Sequence, residues 1–194
     1  MTARRLSSAR CALVLAATVG CSGETGDGET TVVVGPSEQG FGKVVEVLDY
    51  ACGNLSCHGT PLRNLRIYGD QGRRLDPKDV PCGAPTTPAE IAFDYRSIIG
   101  LEPEVMAEVV ASHGAEPDRL TLVRKARGTE NHKGGVVFHD STDMDACLAA
   151  CGRNDPVCTF ACSGDRCLVS WLAGKTDTSA CNNSLPSLTR CPTL

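Results

Sequence analysis

The chain has 194 residues, 41% of them hydrophobic, and a formal net charge of −4 at pH 7. Its length allows one domain with one hydrophobic core once an N-terminal leader is set aside. The acidic balance, with no basic run beyond residues 124–127, excludes the charge pattern of a nucleic-acid-binding protein. The 12 cysteines would be a liability in a reducing cytosol, so the composition predicts an exported, disulfide-bonded protein.

The first 20 residues have the features of an export signal. Arg4, Arg5 and Arg10 give a basic start, and the apolar stretch at residues 11–19 is too short to cross a bilayer. We therefore predict a signal peptide over residues 1–20.

Thr18-Val19-Gly20-Cys21 resembles a bacterial lipobox, in which the cysteine is acylated, although Thr18 stands where an aliphatic residue is usual. Ser22 after that cysteine is similar to lipoproteins sorted to the outer membrane. The resemblance predicts a lipid on Cys21 and an anchor in the outer membrane, with the domain facing the periplasm or the cell surface. A secretory signal without lipid is the alternative. Residues 21–40 are rich in Gly, Ser, Thr and acidic side chains and predict a flexible tether.

Residues 43–51 predict the first helix of the domain, and its apolar face at helical spacing is formed by Val44, Val47, Leu48 and Ala51. This helix leads into Cys52-Gly53-Asn54-Leu55-Ser56-Cys57-His58-Gly59. Two cysteines followed directly by a histidine is the pattern of covalent haem attachment. Each thiol adds to one vinyl group of the porphyrin, and the adjacent His58 becomes the proximal iron ligand.

The usual attachment motif has two residues between its cysteines, whereas this one has four. The loop must therefore bulge to bring Cys52 and Cys57 to the two vinyl groups. The alternative is a Cys52–Cys57 disulfide beside an exposed His58. No second string of this kind is present, so the sequence predicts at most one haem.

The middle of the chain alternates irregular loops with helices. Residues 61–85 predict a long loop, and its expected core contacts are Leu62, Leu65, Ile67 and Tyr68. A helix then begins after Thr87, with Pro88 at its first position and Glu90 completing a capping box, and it ends at Gly100.

The following segments give weaker signals. Residues 104–112 fit either a short helix or an extended segment. Pro117 and Asp118 open another helix, which ends at Gly128 after a basic last turn. Residues 165–173 predict a last helix with Leu168, Trp171 and Leu172 facing inward.

Residues 144–167 form a cysteine-rich insertion with the spacing Cys147-x3-Cys151-x6-Cys158-x3-Cys162. If each x3 pair lies on one helical turn, two antiparallel turns pair Cys151 with Cys158 and Cys147 with Cys162. Two further bridges, of open connectivity, then involve Cys82, Cys167, Cys181 and Cys191. Zinc ligation is the alternative, although zinc pairs of this spacing belong to reducing compartments. Residues 176–194 predict a polar tail that Cys191 ties down.

Residues 41–175 resemble the haem-binding, c-type cytochrome modules of environmental bacteria in three blocks. These are the Cys52 to Gly59 loop, the block from Leu122 to Gly135, and the block from Cys167 to Gly174. The resemblance implies a mainly α, cytochrome c-like helical domain with long loops and one covalent haem c. The wider motif and the disulfide-stapled insertion are departures from the family pattern.

The sixth iron ligand has three candidates. His132 lies in a loop followed by two glycines, Gly134 and Gly135, which would let the backbone approach a flat ring closely. Met144 is the second candidate, as in cytochromes with a methionine ligand, but it lies among acidic residues. An open position is the third. His113 and His139 are expected to be exposed loop residues.

These features together predict a mono-haem c-type cytochrome lipoprotein that carries electrons in the periplasm or at the outer membrane, with an unidentified redox protein as its partner. No hydrolase, metalloprotease or phosphate-binding motif is present in the sequence, so we predict no enzyme activity. The alternative is a disulfide-rich surface lipoprotein without a cofactor and with a binding or structural role.

Overall fold

The structure is a computed structural model that describes residues 33–175 and 179–182. The predicted signal peptide, the lipidation of Cys21, most of the tether and Cys191 lie outside these residues. The described part of the chain contains seven α-helices and no strand, which confirms the prediction of a mainly helical domain. None of its helices has the length and apolar character needed to cross a membrane.

The helices are joined by irregular loops, and helix α1 contacts α2, α6 and α7. The helices are α1 (Phe41–Cys52), α2 (Pro88–Ile99), α3 (Pro103–Ala111), α4 (Thr121–Arg127), α5 (Met144–Cys151), α6 (Pro156–Leu172) and α7 (Ser179–Asn182), with a 3₁₀ turn at Pro117–Arg119.

Helix α1 provides the centre of the hydrophobic core. Its buried apolar side chains are Phe41, Val44, Val45, Val47 and Leu48. The Phe41 ring lies 5.0 Å from that of Trp171 on α6 and 5.4 Å from that of Tyr95 on α2, measured between ring centroids. Burial of each such side chain contributes roughly 1.5–3 kcal/mol. The aromatic contacts therefore fix α1 between the other two helices.

Helix α2 begins and ends as predicted. The Thr87 side chain accepts a hydrogen bond from the Glu90 amide, and the Glu90 carboxylate accepts one from the Thr87 amide at 2.8 Å. Pro88 occupies the first turn, and Gly100 ends the helix. The reciprocal bonds satisfy two amides that would otherwise lack a partner at the helix start.

The segment after α2 differs in detail from the prediction. Residues 103–111 are helical, which decides between the two possibilities left open by the sequence. The helix predicted from Pro117 is divided into the 3₁₀ turn and α4. The Glu102 carboxylate accepts a hydrogen bond from the Thr121 amide at 2.6 Å, so α4 is capped by a residue distant in sequence. Such a cap has no local sequence signal.

Helices α5 and α6 form the predicted stapled hairpin. The disulfides Cys147–Cys162 and Cys151–Cys158 are both present, as the helical spacing predicted. Helix α6 is longer than expected, because residues 165–173 continue the second arm of the hairpin instead of forming a separate helix. One uninterrupted buried face joins the two parts, from Phe160 to Trp171.

The C-terminal tail is joined to the core through Cys181. This residue forms a disulfide with Cys167 and is only 3% exposed. Cys82 is also disulfide-bonded. At the other end of the domain, Tyr95 donates a hydrogen bond to the Pro36 carbonyl and Trp171 donates one to the Ser37 carbonyl. Packing therefore begins within the predicted tether, through main-chain acceptors that composition does not reveal.

The long loop at residues 61–85 is held to α2 by an ion pair. Arg74 binds the Glu90 carboxylate through two nitrogens, each at 2.9 Å, and both side chains are 1% exposed. Burial alone would raise the pKa of Glu90, but Arg74 and two amides hold it at about 2. Of the four expected core contacts, Leu65, Ile67 and Tyr68 are buried, whereas Leu62 is 90% exposed. The prediction for Leu62 is wrong, because its segment turns at the surface.

Replacing Arg74 with Met should lower the free energy of unfolding by about 3 kcal/mol, because the Glu90 carboxylate stays buried without its cation. The folded-state pKa of Glu90 lies below its ordinary value of 4.5. The contribution of the pair should therefore be full above pH 4.5 and disappear as the pH falls toward 2.

Urea unfolding of both proteins at several pH values measures this difference. Lys43→Met is the matched control, because it breaks an ion pair whose side chains are 44% and 39% exposed and should cost less than about 1 kcal/mol. Equal losses in the two variants would contradict the assignment of Arg74 and Glu90 as the main buried pair.

Candidate functional site

The Cys52 to Gly59 loop is a compact turn at the end of α1. The Cys57 and Gly59 amides both donate to the Asn54 carbonyl, at 2.9 and 3.0 Å. The His58 amide donates to the Cys52 carbonyl at 2.9 Å, which closes the loop on the last residue of the helix. The two extra residues of the motif are thus absorbed in an ordered turn.

His58 is held in one orientation by the loop that follows. Its Nδ1–H donates to the Leu65 carbonyl at 3.0 Å, and its own carbonyl accepts a bond from the Ile67 amide at 3.0 Å. Histidines that bind metals commonly donate the other ring N–H to a carbonyl in this way. The bond leaves Nε2 as the nitrogen available to a metal.

His132 has the same arrangement on the other side of the site. Its Nδ1 lies 3.3 Å from the Gly135 carbonyl, which again leaves Nε2 available. The ring centroids of His58 and His132 are 6.0 Å apart, and the ring planes differ by 24°. Two imidazoles bound to opposite sides of one metal at about 2.0–2.1 Å would have centroids roughly 6 Å apart. The centroid distance between His58 and His132 matches this value.

Gly134 permits the position of the His132 ring. A Cβ added to Gly134 would lie 2.8 Å from Cε1 of His132, closer than real Cβ contacts. Any other residue here would displace the ring from its present place. The absence of a side chain at Gly134 thus leaves room for the His132 ring.

Two cavities adjoin the histidine pair, of about 460 and 340 Å³. The residues that line both cavities are His58, His132, Arg63 and Lys125. The smaller cavity is mainly apolar, with walls from Leu48, Leu65, Ile67, Leu101, Leu122 and Ala126. Their volumes are in the range of cofactor pockets.

The charged residues that line these cavities are all basic. Lys133 lines the larger cavity, and Arg63 and Lys125 line both. Neither Asp nor Glu is among the lining residues, in a chain with a net charge of −4. The site therefore combines apolar walls with basic side chains. Arg63 carried no periodic or motif signal in the sequence.

The two motif cysteines are placed on different sides of the site. Cys52 lines the apolar cavity and Cys57 the other, and no disulfide joins these two described residues. In the part of the chain that the structure describes, the only His, Cys, Asp or Glu ligand atoms that converge in a group of three belong to Cys151, Cys158 and Cys162 of the stapled hairpin. The motif cysteines and the two histidines therefore do not converge on one ion. They enclose a larger space.

The two methionines of the described residues, Met106 and the candidate ligand Met144, lie elsewhere. Met106 is 1% exposed within the main core, and Met144 packs against the hairpin disulfides. Neither methionine lines either cavity beside His58. His113 and His139 are exposed, in agreement with the sequence prediction.

The His58 ring is poorly suited to carry a proton. Burial lowers its pKa below the ordinary value of 6.5, the Leu65 carbonyl opposes this, and the charges of His132, Arg63 and Lys125 lower it further. A neutral imidazole is the form that binds metals. The environment of His58 therefore favours ligation near neutral pH.

Comparison of the chain with protein-family models, with curated proteins and with solved structures finds no match.

The adjacency of the two rings can be tested in solution. Replacing His132 with Asn should raise the pKa of His58, because the charge of His132 no longer opposes protonation. Ring-proton NMR titrations on a Cys52→Ala, Cys57→Ala background, which forms no thioethers, measure this pKa. His139→Asn is the matched control and should leave it unchanged. A His58 pKa that does not respond to His132→Asn would show that the rings are not neighbours.

Proposed function

We propose that the protein is a mono-haem c-type cytochrome that carries electrons. The observation that carries the proposal is the pairing of His58 and His132, which come from loops 74 residues apart and have centroids 6.0 Å apart. Each ring is oriented by a carbonyl at Nδ1. Such second contacts raise the basicity of a metal ligand and fix its ring.

The residues around the histidines fit a haem. Cys52 and Cys57 would hold it by thioethers, His58 would be the proximal ligand and His132 the distal one. The apolar wall at Leu48, Leu65 and Leu122 would face the ring, while Arg63 and Lys125 would pair with its carboxylates. The bound group would supply one-electron chemistry at iron.

The role of the chain is to fix two ligands and to limit water around them. Ligand identity, burial and nearby charge set the potential of such a centre. Two protein ligands leave no open position for oxygen or peroxide, so we infer electron transfer instead of catalysis. A lipid anchor at Cys21 in the outer membrane and a redox protein as partner remain parts of the proposal.

The alternative role, a stapled surface lipoprotein without a cofactor, is less well supported by these contacts. It treats Cys52 and Cys57 as one more bridge, and the structure has no such bridge within the described residues. It also gives no reason for two histidines that have matched Nδ1 contacts and line the same two cavities.

The decisive experiment is to express the domain with an export signal in a host with a c-type maturation system, and to record difference spectra and a denatured mass. We expect a sharp reduced band and one haem that remains bound after denaturation. The Cys52→Ala, Cys57→Ala variant should lose the covalent haem.

His132→Ala should keep the covalent haem and change the spectrum from low spin to high spin, because the distal ligand is lost. His139→Ala is the matched control and should match the parent protein. A colourless protein would reject the cytochrome proposal, and an unchanged spectrum in His132→Ala would reject His132 as the distal ligand.

A further inference from the structure

The base of the attachment loop contains more buried negative charge than buried positive charge. Asp49 on α1 and Glu90 and Asp94 on α2 are each 0% exposed. Arg74 is committed to Glu90 through two nitrogens and also donates to the Ala84 and Pro85 carbonyls. Its charge is therefore used by Glu90, and among the described residues no ion pair involves Asp49 or Asp94.

Asp49 and Asp94 bind the same short segment from two helices. Oδ2 of Asp49 accepts from the Gln71 amide at 3.0 Å, and Oδ1 of Asp94 accepts from the Tyr68 amide at 2.9 Å. Gly69 lies between these contacts, and a Cβ there would be 2.2 Å from Oδ2 of Asp49. Oδ2 of Asp94 is buried and has no hydrogen-bond partner in the described part of the chain.

Two carboxylates without a cation in such a place favour binding a proton. Burial raises the pKa of Asp49 to about 7, with further contributions from the neighbouring Asp70 and Glu90. Burial raises the pKa of Asp94 to about 8, and the charges of Asp49 and Glu90 add to the effect. The charged groups that face the pair are thus Asp70 and Glu90, with Arg74 behind Glu90.

The pair is in direct contact with the attachment loop. Asp49 precedes Cys52 by one helical turn, and its carbonyl accepts a hydrogen bond from the Gly53 amide at 2.8 Å. A Cβ on Gly53 would lie 2.0 Å from Oδ1 of Asp49, so the loop backbone packs on the carboxyl group itself. The Cys52 carbonyl in turn accepts the His58 amide. Asp49 therefore packs against the start of the loop that carries His58.

Asp70 is a half-buried neighbour of the pair. Its carboxyl group contributes to raising the pKa of Asp49. Asp70 also lines a cavity of about 320 Å³, together with the exposed residues Gly83, Ala84 and Pro85. This cavity connects Asp70 with solvent.

We propose that Asp49 and Asp94 form a proton-binding site that takes up a proton when the site at His58 and His132 gains an electron. The inference rests on the proposed cytochrome function. The redox protein partner would supply one electron, water would supply one proton to a carboxylate of the pair, and return of the electron to a partner would release that proton. The added negative charge makes protonation of a neighbouring carboxylate more favourable, so the charges balance within the domain.

The test on the haem-loaded protein is its reduction potential as a function of pH, by spectroelectrochemistry. The potential should fall as the pH rises between about pH 6 and pH 9, because an ionised pair opposes the added electron. If one proton binds with one electron, the reduction potential changes by at most about 59 mV per pH unit. This value corresponds to a tenfold change in the equilibrium constant of a one-electron couple. Asp49→Asn and Asp94→Asn should each reduce the slope, and the double variant should abolish it.

Asp145→Asn is the matched control, because the side chain of Asp145 is 86% exposed, and it should keep the slope. A loaded protein whose potential is independent of pH, or whose slope is unchanged in the double variant, would overturn the proton site and leave the cytochrome intact. A protein that retains no haem would instead reject the proposed function.

The pair can also be measured without haem, in the Cys52→Ala, Cys57→Ala background. Infrared spectra of this background protein at neutral pH should contain a band of protonated, buried carboxyl groups. This measurement requires no substitution of Asp49 or Asp94. Because the folded pKa of each acid lies above its ordinary value of 3.8, stability should fall as the pH rises from about 4 through 8. The double Asn variant should lack this decline. Absence of the protonated band would contradict the proposal.

Discussion

Burial of helix α1 against α6 and α2 is the constraint on which the site depends. Phe41 at its start is enclosed by Trp171 and Tyr95, and its last turn carries Asp49 and Cys52. Because α1 is held by these contacts, the loop that follows it begins at a defined position in the fold. The loop then closes on the helix through the bond from the His58 amide to the Cys52 carbonyl. The position of His58 is thus a consequence of core packing several turns away.

Local signals in the sequence were sufficient for most of the helices. The Thr87–Glu90 capping box and the stop at Gly100 depend on residues close together in the chain, and both are present. The hairpin disulfides followed from the helical repeat, since cysteines four positions apart share a face. Elements that depend on distant partners were not predictable. Examples are the Glu102 cap of α4, the burial of Cys181 and the main-chain acceptors at Pro36 and Ser37.

The candidate site divides in the same way. The Cys52, Cys57 and His58 string could be read directly, and two glycines after His132 indicated a close approach. The roles of Arg63 and Leu65 could not be predicted, because both lie in a loop without periodicity. Arg63 contributes a positive charge to the cavity, and the carbonyl of Leu65 accepts the hydrogen bond from His58. The burial of Asp49 and Asp94 without an ion-pair partner among the described residues also could not be predicted from the sequence. The sequence does not show that Arg74 donates two hydrogen bonds to Glu90. It also does not show that Asp49 and Asp94 form no ion pair within the described residues.

The cysteines that form the hairpin disulfides are arranged differently from Cys52 and Cys57. Thiols that must pair are placed on facing helical turns, where Cys147 meets Cys162 and Cys151 meets Cys158 over short separations of 15 and 7 residues. Short loops close at low entropic cost, so these bridges are favoured early in folding. Cys52 and Cys57 instead line different cavities around the histidine pair. The four residues between Cys52 and Cys57 thus lie in an ordered turn that presents the two thiols to different cavities.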